Sequence, residues 1–437
     1  MSTSAGSTRV IGFWTVTALV VGNMIGSGVF LLPSSLAPLG GGLAMLGWGL
    51  SAGGSILLAL VFARLARRRP AAGGPYAYTR EAFGDLAGFL VAWSYWISIW
   101  TTLAAIAVAC VGYLDPFAPD LVRSPGSAAW LAVGLVWAVV LVNLRGVGAA
   151  GLVQVVTTAL KLLPLVFIGL AGAASFDPTR FGLAAPAGDT VTGGAFLAVT
   201  LTLWAFLGLE SGTVPAEAVV DPDRTIPRAT IAGTLAAAGV YVVSTVGVMS
   251  LVPPEALAQS PAPFADAARA LAGDGAARLV SLGAAISCLG ALNGWTLLGA
   301  EMPRAIAADG LFPAAFARLS GRGVPGAGLV IAGVLATGLI LMKASLTVVD
   351  LFTFTALLAT LGALVPFVFC TLATIVLERP SERSPGRTLL SMAAFLFALV
   401  AIAGAGAETV YWGFLTLLAG LPVYVWVTRS RRGGGAA

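Results

Sequence analysis

Apolar residues run along this chain in long blocks separated by short polar segments. The blocks cover residues 11–33, 42–64, 84–113, 126–144, 150–173, 193–218, 229–252, 276–303, 326–343, 349–376, 389–406 and 409–428. A helix rises about 1.5 Å per residue, so about 20 apolar residues cross a hydrocarbon core roughly 30 Å thick. Several blocks carry Trp or Tyr near an end, where amphipathic rings sit at a membrane interface. The pattern predicts an all-α polytopic membrane protein with twelve transmembrane helices. Spans 9 and 10 lie close enough to make eleven the alternative. The first block lacks a small-residue cleavage site at the right place and is too long for a cleavable signal peptide.

Composition narrows the function classes. Of 437 residues, 58% are hydrophobic and 10% charged, whereas a soluble domain carries about 25% charged residues. A soluble enzyme of two or three domains is excluded on that ground. Gly and Pro are scattered through the apolar blocks, which excludes collagen and long disorder. The chain has no His, so His-based metal sites and His acid–base chemistry are absent. Cys110, Cys288 and Cys370 all lie in apolar blocks without CxxC spacing, which predicts buried free thiols rather than zinc or disulfides. No cofactor is expected.

Charge sets the orientation. On a twelve-span topology, 18 of the 24 Lys and Arg residues face one side and 5 the other, with Lys161 inside span 5. The richer side is cytoplasmic, so both termini are expected inside the cell, in a plasma (inner) membrane. The arginine runs are read as orientation and lipid contact, not as a nucleic-acid surface. Residues 1–8 and the tail RRGGGAA have disorder-prone composition. The longest outside loop, around 253–275, contains PFADAARALAGDG, which predicts a short amphipathic surface helix.

Two blocks are interrupted in their middle. Span 1 reads VTALVVGNMIGSGVFLLP, with Gly22, Gly26 and Gly28 alternating with Asn23 and Ser27. Gly weakens a helix by about 1 kcal/mol relative to Ala. This stretch reads either as an unwound segment or as a close crossing through small residues. Span 6 reads TLWAFLGLESGTVPAEAVV and places Glu210 among Gly208, Gly212 and Pro215. An ionisable residue inside a span is costly and marks a functional site. Spans 1 and 6 are the first helices of two five-helix halves, and interrupted helices at corresponding positions of two halves point to a transporter site. Backbone released from a helix in lipid must be satisfied by a cavity or ligand. Free amides opening a half-helix suit an anion, and freed carbonyls closing one suit a cation. Together they suit the carboxylate and ammonium of an amino acid.

These residues carry a resemblance. GNMIGSGVFLLP in span 1, GGPYAYTREAFG after span 2, LWAFLGLES in span 6, DPDRTIPRATI after it, and ALNGWTLLGAEMPRAIAADGLFP in span 8 are similar to the amino acid–polyamine–organocation (APC) superfamily. Within it, the chain resembles the basic amino acid/polyamine antiporters, closest to arginine/agmatine antiporters, from about residue 10 to 425. The resemblance implies a LeuT-type 5+5 inverted repeat with broken spans 1 and 6, and two further helices. It divides the chain into a cytoplasmic N-terminus (1–8), a first repeat (9–190), a second repeat (191–376), spans 11 and 12 (377–428) and a cytoplasmic tail (429–437).

The resemblance also implies roles. The backbone around Asn23, Met24, Ile25, Gly26, Ser27 and Gly28 would hold the substrate, with the amides of Ser27 and Gly28 on its carboxylate. The carbonyls of Met24, Trp204 and Leu207 would hold its ammonium. Trp204 would close the outer side, and Trp295 would pack on the substrate side chain. Ser98, Leu103 and Ala359 belong to the implied pocket. Tyr76, Tyr95, Glu210 and Phe367 belong to the implied inner gates. Standing alone, Trp204 and Trp295 read equally as core or interface aromatics.

Three positions depart from the antiporter pattern. Leu103 and Ala359 stand where an arginine antiporter carries an Asn and a Ser beside the guanidinium. A buried guanidinium needs partners for five donors. Phe367 replaces a gate Tyr. Lys161 lies about 16 Å into span 5, and sodium-independent members of the superfamily carry such a lysine where sodium-coupled relatives hold an ion. It serves as an ion substitute or proton-coupling group, together with Glu210, or as a structural lysine on backbone carbonyls. The expected function is a secondary active amino-acid transporter using alternating access. It is an exchanger or proton-coupled, sodium-independent, and takes neutral amino acids first. The alternative is a cationic amino acid/diamine antiporter, such as an arginine/agmatine exchanger. The expected partners are the small-molecule substrate and the bilayer, with a homodimer left open. A channel and a membrane enzyme find no support in the motifs.

Overall fold

The computed structural model describes residues 12–26, 28–68, 74–145, 150–186, 188–209, 219–321 and 323–434. Every regular element among them is a helix, apart from short turns and one isolated bridge residue. In chain order these are α1 (Phe13–Met24), α2 (Gly28–Leu36), α3 (Gly40–Arg68), α4 (Pro75–Phe83), α5 (Asp85–Gly112), α6 (Pro119–Arg123), α7 (Pro125–Leu144), α8 (Ala150–Ala173) and α9 (Val191–Trp204). There follow α10 (Pro222–Leu251), α11 (Pro254–Gln259), α12 (Pro263–Ala308), α13 (Gly326–Met342), α14 (Val348–Val376), α15 (Pro385–Ala403), α16 (Ala407–Leu418) and α17 (Gly420–Gly434). Among the described residues, 8 helical stretches are long and apolar enough to cross a membrane. Shorter apolar helices at Phe13–Gly22, Leu162–Ala173, Val191–Trp204 and Gly326–Met342 add to them.

Helices α5 and α14 form the centre. Their long inner faces are buried, from Ser94 to Gly112 on α5 almost without interruption. They meet at Gly362, where an added Cβ would lie 2.9 Å from the Ser98 amide nitrogen. The Ser94 hydroxyl donates to the Gly362 carbonyl at 2.8 Å across the same contact. Small residues let membrane helices approach this closely, because lipid offers no hydrophobic gain for looser packing. Around this pair, Ser51 of α3 donates to the Val199 carbonyl of α9 at 2.9 Å, and Asn143 of α7 donates to Asn293 of α12 at 2.7 Å. The three cysteines are buried and free.

The interrupted blocks are where continuous helix fails. Block 11–33 divides into α1 and α2. Helix α1 ends at Met24, and the Gly26 amide folds back onto the Met24 carbonyl at 2.7 Å. Block 193–218 leaves α-helix at Trp204. The next amides, Ala205, Phe206 and Leu207, bond three residues back instead of four, and Gly208 then takes φ +99. That left-handed conformation is open to Gly and costly to a residue with a Cβ. Buried tyrosines hold carbonyls beside both breaks. The Tyr241 hydroxyl donates to the Ala205 carbonyl at 2.9 Å, and the Tyr113 hydroxyl to the Phe30 carbonyl at 2.6 Å.

Two expectations are corrected. The segment 263–271 is helical, but it is not a surface helix. It joins the span-8 helix through a kink at Ala272 and Gly273, and Phe264 is fully buried against Phe30 with ring centroids 5.6 Å apart. Its Ala and Phe positions bury against α2, which outweighs the charged face seen in the sequence. The tail is also more regular than its composition suggests, because α17 continues through Arg432 to Gly434. A helix already nucleated by the preceding span extends at low cost even over weak formers. Residues 1–8 lie outside the described residues.

Tyr241→Phe tests the support of the span-6 break. It removes one hydrogen bond and leaves the Ala205 carbonyl buried without a side-chain donor, at a cost of about 1–3 kcal/mol. The expected result is a lower melting temperature in detergent, with the helical circular dichroism of the folded protein retained. An unchanged melting temperature contradicts this account of the break.

Candidate functional site

Both breaks face one cavity. It is lined by Met24, Gly26 and Gly28 from the first break and by Trp204, Ala205 and Leu207 from the second. Thr102 and Ile106 of α5 and Trp295 of α12 complete it. The cavity is narrow, about 20 Å3, a contraction to the size of a water rather than an amino acid.

Trp204 accounts for much of that contraction. Its indole lies on the backbone of Gly28, so closely that a Cβ at position 28 would overlap the ring. Phe352 of α14 backs the indole edge-on, with centroids 5.2 Å apart. Ser34 donates to the Ser260 carbonyl at 2.8 Å, and Ser35 pairs with Thr353 at 2.7 Å. This end of the bundle is closed by α2, the 260 region and the start of α14.

At the opposite end, Phe367 is fully buried and meets Phe62 edge-on at 5.3 Å. Tyr76 on α4 is buried, and the Arg80 guanidinium donates to its hydroxyl at 3.2 Å. Burial, reinforced by the Asp309 carboxylate, pushes the Tyr76 phenol up to about 12, so it stays neutral at ordinary pH. Tyr95 is half-buried on α5.

Met24, Gly26, Gly28, Trp204, Leu207 and Trp295 are thus brought to one place. Ile25 is fully buried beside the break but does not line the cavity. Ser98, Leu103 and Ala359 are buried nearby and outside its lining. Ser27 and Glu210 lie outside the described residues, as do the side chains of Asn23 and Lys161. Sequence reasoning missed Thr102, Ile106, Ala205, Tyr241 and Phe352. Thr102 and Ile106 continue the one-turn spacing of Ser98, so the α5 face was readable as a stripe. Phe352 and Tyr241 act from other helices, and no local pattern announces them.

Among the described residues, the lining side chains carry no charge. Polarity comes from backbone groups, from the indoles and from Thr102. The Met24 carbonyl accepts from Gly26, and the Trp204 carbonyl accepts from Leu207 at 3.2 Å, which leaves each a second lone pair. The Thr102 hydroxyl is buried and has no hydrogen-bond partner among the described residues. Such a group costs about 1–3 kcal/mol.

A family described as "Amino acid permease" matches residues 11–415. The chain is 34% identical over 431 residues to a cadaverine/lysine antiporter of Escherichia coli (strain K12), covering 96% of this chain and 95% of that one. It is 35% identical over 392 residues to a putative arginine/ornithine antiporter of Bacillus subtilis (strain 168), covering 83% of each. It is 28% identical over 431 residues to the putrescine transporter PotE of Escherichia coli (strain K12), covering 96% and 97%. The fold is similar to that of a manganese transporter of Eremococcus coleocola, with TM-score 0.62, 14% identity and 99% of both chains covered.

Substitution of the two cavity glycines separates close packing from simple flexibility. Gly28→Ala drives a methyl into the Trp204 ring, whereas a Cβ at Gly26 meets nothing closer than the Met24 carbonyl at 3.9 Å. Substrate flux into proteoliposomes is expected to fall at least tenfold more in Gly28→Ala than in Gly26→Ala, about 1.4 kcal/mol apart. Equal losses, or the reverse order, contradict the packing of Trp204 on Gly28.

Proposed function

We propose, from the premise that this chain belongs to the amino acid permease family and is an APC-type amino acid/polyamine antiporter, that it exchanges cationic amino acids and diamines across the inner membrane. The observation that carries the transport reading is the meeting of two broken helices at one cavity. Amides opening α2 suit the substrate carboxylate, and the carbonyls of Met24, Trp204 and Leu207 suit its α-ammonium. The broken segments belong to spans 1 and 6 of a twelve-span, 5+5 inverted repeat, with both termini cytoplasmic. Alternating access then requires Trp204 to leave Gly28 when the α2 end opens, and Tyr76 and Phe367 to separate when the other end does.

The choice of cationic substrates corrects the first expectation. Leu103 and Ala359 favoured neutral amino acids. The relatives named for cadaverine, lysine, arginine, ornithine and putrescine favour the alternative. Neither Leu103 nor Ala359 lines the cavity, so their apolar character says less about the substrate than it did in the sequence. Glu210, three residues beyond Leu207, is the proposed carboxylate for charge compensation or proton coupling. Lys161 is proposed to take the place of a sodium ion.

Competition for exchange in proteoliposomes decides between the classes. Lysine, ornithine, cadaverine or putrescine is expected to compete at least tenfold better than leucine, alanine or methionine, a difference of about 1.4 kcal/mol. Neutral amino acids that match the cations would restore the first expectation.

Replacement of sodium by choline is expected to leave the exchange rate unchanged. An ammonium about 4 Å from a sodium ion would repel it by roughly 4 kcal/mol at an effective dielectric near 20. A sodium-stimulated rate rules out that role for Lys161.

A further inference from the structure

Thr102 stands apart from the other threonines of the helices around it. Thr101, next to it on α5, donates its hydroxyl back to the Ile97 carbonyl at 2.8 Å. Thr296 on α12 and Thr355 and Thr360 on α14 bond back to the carbonyl four residues earlier in the same way. This local bond is the usual fate of a threonine hydroxyl inside a helix. Thr102 is 2% exposed, yet its hydroxyl makes neither that bond nor any other among the described residues. It also lines the cavity. A buried hydroxyl withheld from its own helix, on a residue that lines the cavity, is available to a ligand once the site opens.

The chemistry of the wall says which ligand group. Among the described lining side chains, Thr102 supplies the one oxygen. The indole nitrogens of Trp204 and Trp295 donate only, and the Met24 sulfur is a weak acceptor. Thr102 sits on α5 and Trp295 on α12, apart from the broken backbone that suits the α-carboxylate and α-ammonium. A substrate end reaching that part of the wall meets one oxygen acceptor and an aromatic face. An ammonium fits that pair, because it is a compact cation with three donors and is drawn to an indole face. A guanidinium has five donors in a plane, and one hydroxyl oxygen leaves most of them unpaired. A methyl end leaves the hydroxyl itself unpaired.

We propose that Thr102 is the specificity-determining residue for the distal end of the substrate, accepting a hydrogen bond from a terminal ammonium beside the Trp295 ring and so favouring lysine-like and diamine substrates over guanidinium ones. This rests on the cation-exchange reading above and adds the side chain that selects within it.

The test uses the full-length protein in proteoliposomes, with lysine, arginine and norleucine as competitors for exchange. Norleucine is lysine with a methyl in place of the terminal aminomethyl group. In the wild type, lysine is expected to compete better than both. In Thr102→Val, which keeps the shape and removes the hydroxyl, the lysine-to-norleucine affinity ratio is expected to fall at least tenfold, or about 1.4 kcal/mol. In Thr102→Ser the ratio stays within about threefold of wild type. The Val variant is also expected to melt no lower than wild type, because it loses an unpartnered buried polar group. Thr102→Ala gives the same ratio test if the Val protein does not assemble. An unchanged ratio in Val and Ala overturns the assignment, as does arginine competing as well as lysine in the wild type. A Val protein that melts lower and loses lysine and norleucine alike makes Thr102 a structural hydroxyl. A wild type that exchanges no cation removes the reading above and this assignment with it. Intact cation exchange with an unchanged ratio removes this assignment alone.

Discussion

The structure depends on how broken backbone is satisfied where water is scarce. An unpaired peptide group in hydrocarbon costs several kcal/mol, about as much as a large share of a domain's net stability. Here the helix leaves its regular bonding at Ile25–Gly26 and again at Ala205–Gly208. The released groups are not left to lipid. The Gly26 amide turns back on Met24, the Ala205–Leu207 amides tighten to three-residue bonds, and Tyr241 reaches from α10 to the Ala205 carbonyl. Met24, Gly26, Gly28, Trp204, Ala205 and Leu207 line the cavity. The breaks and the cavity are therefore one feature, since each would be unstable without the other.

The same constraint explains how the described part of the wall does without charged side chains. The described lining is apolar except for backbone, indole and one hydroxyl. Fixed dipoles from half-helix ends supply partial charges without the desolvation cost of a buried carboxylate or lysine. A zwitterionic head group is matched by two such ends pointing the right way. A second cationic group then needs only a compact set of partners, such as a hydroxyl and an aromatic face.

Among the described residues, aromatic packing rather than salt bridges fills the core beside the breaks. Trp204 lies between Gly28 and Phe352, and Trp48, Phe206 and Tyr241 cluster behind the same break with centroids 4.9 to 6.0 Å apart. Rings of this size bury large apolar areas and exclude water. The charged pairs lie outside this core, as with Arg80 and Asp85 at the end of α4 and Arg123 and Asp115 beside α6.

Much of the molecule was legible from the one-dimensional pattern. Long apolar blocks dictate membrane helices because the bilayer demands about 20 apolar residues per crossing. Glycines announced the breaks, Gly208 because it takes a left-handed φ and Gly28 because Trp204 leaves no room for a Cβ. Leu103 and Ala359 are not in the described lining, because a position in a motif does not say which way its side chain turns on the helix. The α5 face toward the cavity is that of Thr102 and Ile106, and only packing against α12 and α14 decided it. Tyr241, Tyr113 and Phe352 lie far along the chain from the groups they hold, and their roles exist only once the helices assemble. The sequence by itself determined where helices form and fail, since those are local costs of backbone and side chain. Tertiary structure decided which residues meet at the cavity and which hydroxyl among the described lining is left there without a partner, since that depends on how distant helices assemble.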